Sequence, residues 1–480
     1  MIPLCTVYPL LGEAPGWLLA YLILAAGGIL SSLLLALQAW EHVRFARSCL
    51  ADLARHKPRG RALVLVPCKG HDLGLEENLR ALLRQDYPDY ELRLIVESAT
   101  DPACAVIRRV MADHPHVKAR LVVAGSALRS GQKVHNLQVA TVGLSPRINY
   151  LAFLDSDGRP HPYWLRLAIA RLYRVEMGAS TGYRWFIPRR ASLANALLYS
   201  MNCDLMSRLG RRSPHLVWGG SWALRRATFQ RIGLRRAWHG TLSDDLVASR
   251  LLRQAQRYVR FEPACVVASP IDYSLAEMFA FLRRQYVIVR HYAIGWWCLT
   301  VATSSARMLV WLLSLLALGR GLAGGPPAPW IPAAVLALLY GLGVYRSALI
   351  QRLGRTYFPH QADVLRRVRR FDLWARPAAE LVHWLGLVSS AWGRHITWRG
   401  IRYRLACDGR VTRRTAAAPR RHEAKGGSRV DLPSPSGRGA GGEGQGSLAA
   451  KSPHPSPLPE GEGTGPPQFA KVQIGLKSFR

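Results

Sequence analysis

Two acidic pairs carry the spacing that chemistry could use. In "YLAFLDSDGRP", residues 150–160, an apolar run leads straight into Asp155 and Asp157. Two carboxylates spaced D-x-D at a strand end can present oxygens to one hard cation and leave positions open for phosphate oxygens, which suits Mg²⁺ or Mn²⁺ bound to a nucleotide. Such an ion would also neutralise charge on a departing diphosphate. The same spacing suits an Asx turn, in which each Asp caps its own backbone. The second pair, Asp244-Asp245 in "GTLSDDLVASRLLRQ", stands just before a helix-like run with Leu246, Leu251 and Leu252. Both acids fit an N-terminal cap stabilised by the helix dipole. Asp245 alternatively offers a general base for an acceptor hydroxyl within hydrogen-bond reach.

The elements that would position these pairs alternate between Arg61 and about Arg290. "RALVLVP" is a short β-branched and Leu run with an abrupt Pro stop, as expected of a buried parallel strand. "EENLRALLRQ" has apolar residues at helical spacing and is broken by "DYPDY". The cycle continues through "ELRLIVES", "ACAVIRRVMAD", "VKARLVVAG", "KVHNLQVATVG" and "NYLAFLDSD". Strands separated by helices imply right-handed crossovers and a mostly parallel α/β sheet, whose ligands bind outside the carboxyl ends of the strands. Glu97 and Ser98 end one such strand and Asp155 to Asp157 another, so both turns open onto one crevice.

From Trp17 to Trp40 the chain carries no formal charge and is long enough to cross the ~30 Å hydrocarbon layer as a helix. It exceeds a signal-peptide core, and no basic residue precedes it. Arg44, Arg47, Arg55, Lys57, Arg59 and Arg61 follow, which places the next domain in the cytoplasm by the positive-inside bias. Apolar runs from Met308 and from Pro329 read as a helical hairpin through the bilayer, followed by another arginine-rich stretch. Leu373 to Trp392 is apolar but includes Arg376, Glu380 and His383, which favours an interfacial helix over a further crossing. Past Asp408 the composition turns to Gly, Pro, Ser and charge, and reads as a disordered tail. The expected division is a membrane helix and basic linker over 1–60, a catalytic domain over 61–290, membrane and interfacial helices over 291–407, and the tail over 408–480.

Lys and Arg total 65 against 30 acidic residues, a net charge of +35 that suits anionic partners such as nucleic acid, acidic lipid headgroups or a phosphorylated small molecule. No nucleic-acid motif appears, and much of the charge lies beside membrane segments. The eight cysteines form no C-x-x-C pair or zinc-ligand cluster and are expected to be reduced core residues.

Taken together, "LVLVPCKG", "ENLRALLRQDYPDYEL", "GQKVHNLQ", "YLAFLDSDGRPHPYWL", "VWGGSWALRRATFQRIGL" and "LSDDLVASRLLR" resemble a family 2-type glycosyltransferase of the ceramide glucosyltransferase-like branch. The resemblance implies a GT-A type mostly parallel sheet domain between N- and C-terminal transmembrane helices. It further implies a nucleotide-sugar donor, expected to be a UDP-sugar, a divalent cation, Mg or Mn, and inversion at the anomeric carbon. On that pattern Asp155 and Asp157 hold the metal and diphosphate, with Asp244 among the donor-side residues, and Asp245 is the base. Lys133 and Asn136 match residues bordering the donor pocket, and Gly219, Gly220 and Ser221 match the small-residue turn beside the acceptor.

The chain departs from the pattern at two places. Glu97, followed by Ser98, stands where an Asp reads the nucleotide base. In "FLRRQYVIVRHY", Arg283, Arg284 and Gln285 are present, but Val287 and Ile288 replace the Arg-Trp of the R/Q-x-x-R-W element. Arg290, one helical turn beyond Tyr286, is a candidate to supply the missing cation to the diphosphate.

The expectation is transfer of one sugar to the hydroxyl of a lipid in an anionic leaflet, by an integral protein of a bacterial inner membrane with its catalytic domain in the cytoplasm. The aromatic cluster "HYAIGWW", His291 to Trp297, would sit at headgroup depth. A polysaccharide synthase and a basic, membrane-tethered binding protein are the alternatives. Ceramide, diacylglycerol, hopanoid and polyprenyl acceptors all offer a suitable hydroxyl.

Overall fold

The computed structural model describes residues 16–51, 59–211 and 215–416. Seven strands build the main sheet: β1 (Arg61–Pro67), β2 (Tyr90–Val96), β3 (Lys118–Val123), β4 (Ile148–Leu154), β5 (Met177–Pro188), β6 (Ser221–Arg225) and β7 (Tyr258–Ile271), in the order β3-β2-β1-β4-β6-β5-β7. All neighbours are parallel except β6, which runs antiparallel to β4 and β5. The mostly parallel α/β sheet expected from the alternation is present, and β5 to β7 extend it beyond the four strands read from the pattern.

The uninterrupted apolar run of β1 has a simple cause. Ala62, Val64 and Val66 join the core on one face of the sheet, with Leu79 and Trp164. Leu63 and Leu65 join the core on the other face, with Phe153 and Trp222, whose rings stack at 4.1 Å. A strand covered on both faces has no solvent side to mark with polar residues. Because the order reverses between β1 and β4, the loops after β1, β2 and β4 gather at one edge, where such sheets hold ligands.

Three helices are long and apolar enough to cross a membrane: Gly16–Leu50, Ile294–Leu322 and Trp330–Tyr357, of 35, 29 and 28 residues. They contain the three runs found in the sequence, the second helix beginning at Ile294 instead of Met308, and a hydrogen bond from Tyr21 to Ser314 at 3.2 Å ties the first to the second. The Leu373 to Trp392 stretch divides between helix Ala362–Trp374 and helix Arg376–Ser389. The latter has 14 residues, fewer than the ~20 that a crossing needs.

The chain then enters a second, antiparallel sheet of β8 (His395–Trp398), β9 (Ile401–Leu405) and β10 (Val411–Ala416). β10 corrects the tail boundary, since residues 411–416 pair with β9. The remainder of the expected tail lies outside the described residues. The cysteine reading also needs correction: Cys49, Cys68, Cys104, Cys203 and Cys265 are buried, whereas Cys298 and Cys407 are exposed.

Candidate active site

β4 ends at Leu154 and delivers Asp155 to the sheet edge, where its backbone N–H donates to the carbonyl of Gly220 at 3.3 Å. Helix Gln132–Ala140 points Lys133 at the same place. The Lys133 Nζ lies 2.8 Å from Asp155 Oδ1 and 3.1 Å from Asp244 Oδ1, and donates to the Gly219 carbonyl at 3.1 Å. Asp244 and Asp245 open helix Asp244–Gln254, capped by Ser243, whose hydroxyl accepts from Leu246 N. Asp245 Oδ2 accepts from Gly219 N at 2.9 Å, and Oδ1 accepts from Ser243 Oγ at 2.5 Å and Leu246 N at 2.8 Å. The two acidic pairs therefore meet around one lysine.

Burial works against the Lys133 ammonium, but Asp155, Asp244 and Asp245 outweigh it and hold the group protonated above the ordinary lysine range. Burial raises Asp244 to about 7, against the pull of Lys133 and with a further push from Asp245 and Asp155. Its Oδ2 is buried and has no hydrogen-bond partner among the described residues. The turn is tight at Gly219, where a Cβ would lie 3.0 Å from Asp244 Oδ2, Asp245 Oδ2 and Lys133 Nζ. At 220 a Cβ would collide with the Trp218 ring. Ser221 does not face this space: it is fully buried, donating to the Cys265 carbonyl and accepting from Trp164 Nε1, both at 2.8 Å. Its expected place beside an acceptor is corrected to a tie between β6 and β7.

Asp157 faces a group of arginines. Arg184, from the middle of β5, is 3.9 Å from Asp157 Oδ2 and lies over the Trp218 ring at 4.8 Å. Arg284 packs over Phe281 at 5.3 Å and Trp398 at 5.6 Å. Burial draws its guanidinium down to about 10. Arg399 pairs with Asp72 Oδ1 at 2.8 Å and donates to the Lys69 carbonyl at 2.7 Å. Ser156 Oγ, between the two acids of the D-x-D turn, donates to Asp72 Oδ2 at 2.5 Å.

Arg290 is corrected: its guanidinium donates to the carbonyls of Ser390, Ala391 and Gly393, just past helix Arg376–Ser389. Arg283 likewise binds the carbonyls of Trp392 and His395. Gln285 lies within helix Leu275–Tyr292 and is half-buried. Asp72, Arg184 and Arg399 were missed in the sequence. An arginine inside the otherwise uncharged run "GASTGYRWFIP" was the available signal for Arg184.

Glu97 is already engaged, with Lys69 Nζ at 2.5 Å, Arg414 Nη2 at 2.7 Å and Ser126 Oγ at 2.9 Å. Burial raises its carboxyl, but these donors outweigh it and hold the group below the ordinary glutamate range. Asn136 is buried, accepting from Gln132 Nε2 at 2.8 Å and donating to the Ile95 carbonyl at 3.4 Å, so it fastens its helix to β2.

Asp155 and Asp157 fit a divalent cation that draws the rest of its shell from phosphate. Among the described residues no three His, Cys, Asp or Glu side chains form a metal cage, and Mg²⁺ in nucleotide sites commonly relies on one or two carboxylates plus substrate phosphates. Burial raises the Asp157 carboxyl; Arg184 opposes this, while Asp155 and Asp72 push it further up. Added positive charge there would reverse that penalty.

A model of the family described as glycosyl transferase family 21 matches residues 23–411. The chain is 33% identical over 102 residues to ceramide glucosyltransferase of Komagataella phaffii, covering 21% of this chain and 18% of that protein. It is 30% identical over 77 residues to ceramide glucosyltransferase 1 of Caenorhabditis elegans, covering 16% of each. The match thus spans less than a fifth of these curated relatives. Among solved structures, the chain resembles mannosyltransferase PcManGT from Pyrobaculum calidifontis in complex with GDP-Man and Mn²⁺, at 19% identity and a TM-score of 0.43, covering 74% of this chain and 99% of that one. Glucosyl-3-phosphoglycerate synthase from Mycobacterium tuberculosis, in complex with Mn²⁺, UDP and phosphoglyceric acid, follows at 17% identity and a TM-score of 0.30, covering 48% and 78%.

Proposed function

Because the chain belongs to glycosyl transferase family 21, we propose that it moves one hexose from a UDP-sugar to the hydroxyl of a membrane lipid, with inversion at the anomeric carbon. Glucose and ceramide are the sugar and acceptor suggested by the relatives' names. The observation that carries this reading is the convergence of Asp155, Asp244 and Asp245 on Lys133 beside the Gly219 turn.

On this reading the donor lies between Lys133 and the Asp157 side of the edge, and the acceptor hydroxyl approaches Asp245. The acceptor oxygen forms a bond to the anomeric carbon as the bond from that carbon to the diphosphate oxygen breaks, an in-line geometry. The hydroxyl proton passes to Asp245, whose oxygens are oriented by Gly219 N–H, Ser243 and Leu246 N–H and retain lone pairs for it. Lys133 fixes Asp155 and Asp244 in place. A divalent cation, Mg²⁺ or Mn²⁺, held by Asp155 and Asp157 would neutralise charge on the departing diphosphate.

The three long apolar helices support a membrane location. Arginines that follow the first helix support a cytoplasmic catalytic domain on an anionic leaflet, as in a bacterial inner membrane. Three candidate crossings among the described residues are few for a channel that extrudes polymer.

Purified protein given labelled UDP-glucose, ceramide vesicles and Mn²⁺ should yield one single-sugar glycolipid. A ladder of polymer lengths, or no transfer from any nucleotide-sugar to any of the four lipid classes, would overturn the proposal.

A further inference from the structure

We propose that the sheet β8–β10 forms one wall of the nucleoside-diphosphate pocket and that Arg399, at the tip of its first hairpin, binds the diphosphate. This rests on the donor reading above and adds residues that the D-x-D and S-D-D segments do not contain.

The hairpin is built to present this arginine. Trp398 pairs with Ile401, leaving Arg399-Gly400 as a two-residue turn with φ of 47° and 73°. Tight hairpins of this kind need positive φ at both central residues, which glycine accepts readily and arginine does not. A residue other than glycine persists there where its surroundings hold it. Arg399 is held by the Lys69 carbonyl and by Asp72, and Asp72 in turn is bonded to Ser156 between Asp155 and Asp157. The neighbouring Trp398 carries Arg284 on its ring. Arg184 pairs with Asp157 and Arg399 with Asp72, and Arg284 lies beside them over the Trp398 ring, three guanidinium groups against two carboxylates. The first D-x-D acid, Asp155, lies on the other side, where it shares Lys133 with Asp244, so the positive surplus is local to the Asp157 side and suits an anion there.

The rest of the small sheet is locked to the same edge. Arg414 of β10 binds both Glu97 and Gln132, and the Tyr403 hydroxyl accepts from Gln132 N at 3.2 Å. Val411 N donates to the Gly240 carbonyl at 2.8 Å. Beneath these bonds Leu242 and Val287 pack with Ile396, Ile401, Tyr403 and Leu405. A wall seated this firmly costs little ordering when a ligand arrives.

The test is UDP binding to the full chain in detergent with Mn²⁺, by calorimetry, for the parent and for Arg399→Ala, Arg399→Lys and Arg402→Ala. Arg402 is exposed on β9 and serves as the charge control. Arg399→Ala should weaken UDP by about tenfold or more, the worth of a charge-assisted bond. Arg399→Lys should fall between it and the parent, and Arg402→Ala should stay within about twofold of the parent. Thermal midpoints recorded alongside exclude unfolding. If Arg399→Ala keeps UDP affinity within about twofold, or Arg402→Ala weakens it equally, the assignment of Arg399 is overturned. If the parent binds no nucleoside diphosphate at all, the donor reading itself falls.

Discussion

Lys133 and Asp244 form a buried ion pair, Nζ to Oδ1 at 3.1 Å, and the same ammonium reaches Asp155 at 2.8 Å. Removing it leaves the buried Asp244 and the half-buried Asp155 without their shared cation, and breaking a buried pair typically costs about 3–5 kcal/mol when the remaining charge cannot escape. Asp244 can take up a proton, so the loss in Lys133→Met should lie at the low end of that range. Transfer should fall by about 100-fold or more. Thermal melts with steady-state rates check both, and a variant that keeps transfer within about tenfold of the parent would remove Lys133 from the pocket's work.

Asp245→Asn preserves shape and most hydrogen bonding but cannot accept the acceptor's proton. UDP affinity should persist while the transfer rate drops by about 10²–10⁴-fold. Calorimetry and single-turnover kinetics separate the two, and near-normal turnover would take the base role away from this residue.

Gly219→Ala puts a methyl group 3.0 Å from Lys133 Nζ and from one oxygen each of Asp244 and Asp245. Those groups are fixed by one another and cannot all retreat. Transfer should decline by about tenfold or more, with only about 1–3 kcal/mol lost in stability, as for other overpacked positions. Kinetics with a melt would show it; a fully active alanine variant would mean that the turn has room which this geometry denies.

Chelation should abolish transfer, and Mn²⁺ should restore it. In Asp157→Asn the Mn²⁺ concentration giving half-maximal rate should rise by about tenfold or more, because one of two proposed carboxylate ligands is lost. Full activity in excess chelator would end the cation proposal.

Acid sensitivity should arise away from this pocket, at Asp204. Burial opposes its ionisation, but Arg208, Arg346 and Arg376 outweigh it and hold the carboxyl well below the usual range. A folded-state value depressed below the unfolded one contributes stability that is complete above about pH 4 and is lost as pH falls through the folded value. Melting temperatures followed from pH 6 downward should decline below about pH 4 in the parent and more shallowly in Asp204→Asn. Equal slopes would place the acid-sensitive group elsewhere.

Much of the scaffold was legible because its signals are local. β1 to β4, the D-x-D turn and the three apolar helices each announce themselves within a short window. The residues that escaped do so for physical reasons. Arg399 meets Lys69 and Arg414 meets Glu97 across more than 300 residues of chain, 330 and 317 respectively, and no periodicity encodes such a pairing. β10, "VTRRTA", has too little apolar character to read as a strand alone, and gains its order from β9. Arg290 shares a helix with Arg284 but projects toward the carbonyls past Ser389, a choice of direction that spacing from Tyr286 leaves open. Ser221 sits beside Gly220 yet points the opposite way, as successive residues entering a strand must.

The late position of Arg399 and Arg414 also sets an order of assembly. Lys69, Asp72 and Glu97 leave the ribosome long before their partners, and two long apolar helices are made in between. Until Arg399 and Arg414 have been made, the sheet edge lacks the cations that close it at Asp72 and Glu97, so the domain is finished only with its last described strands.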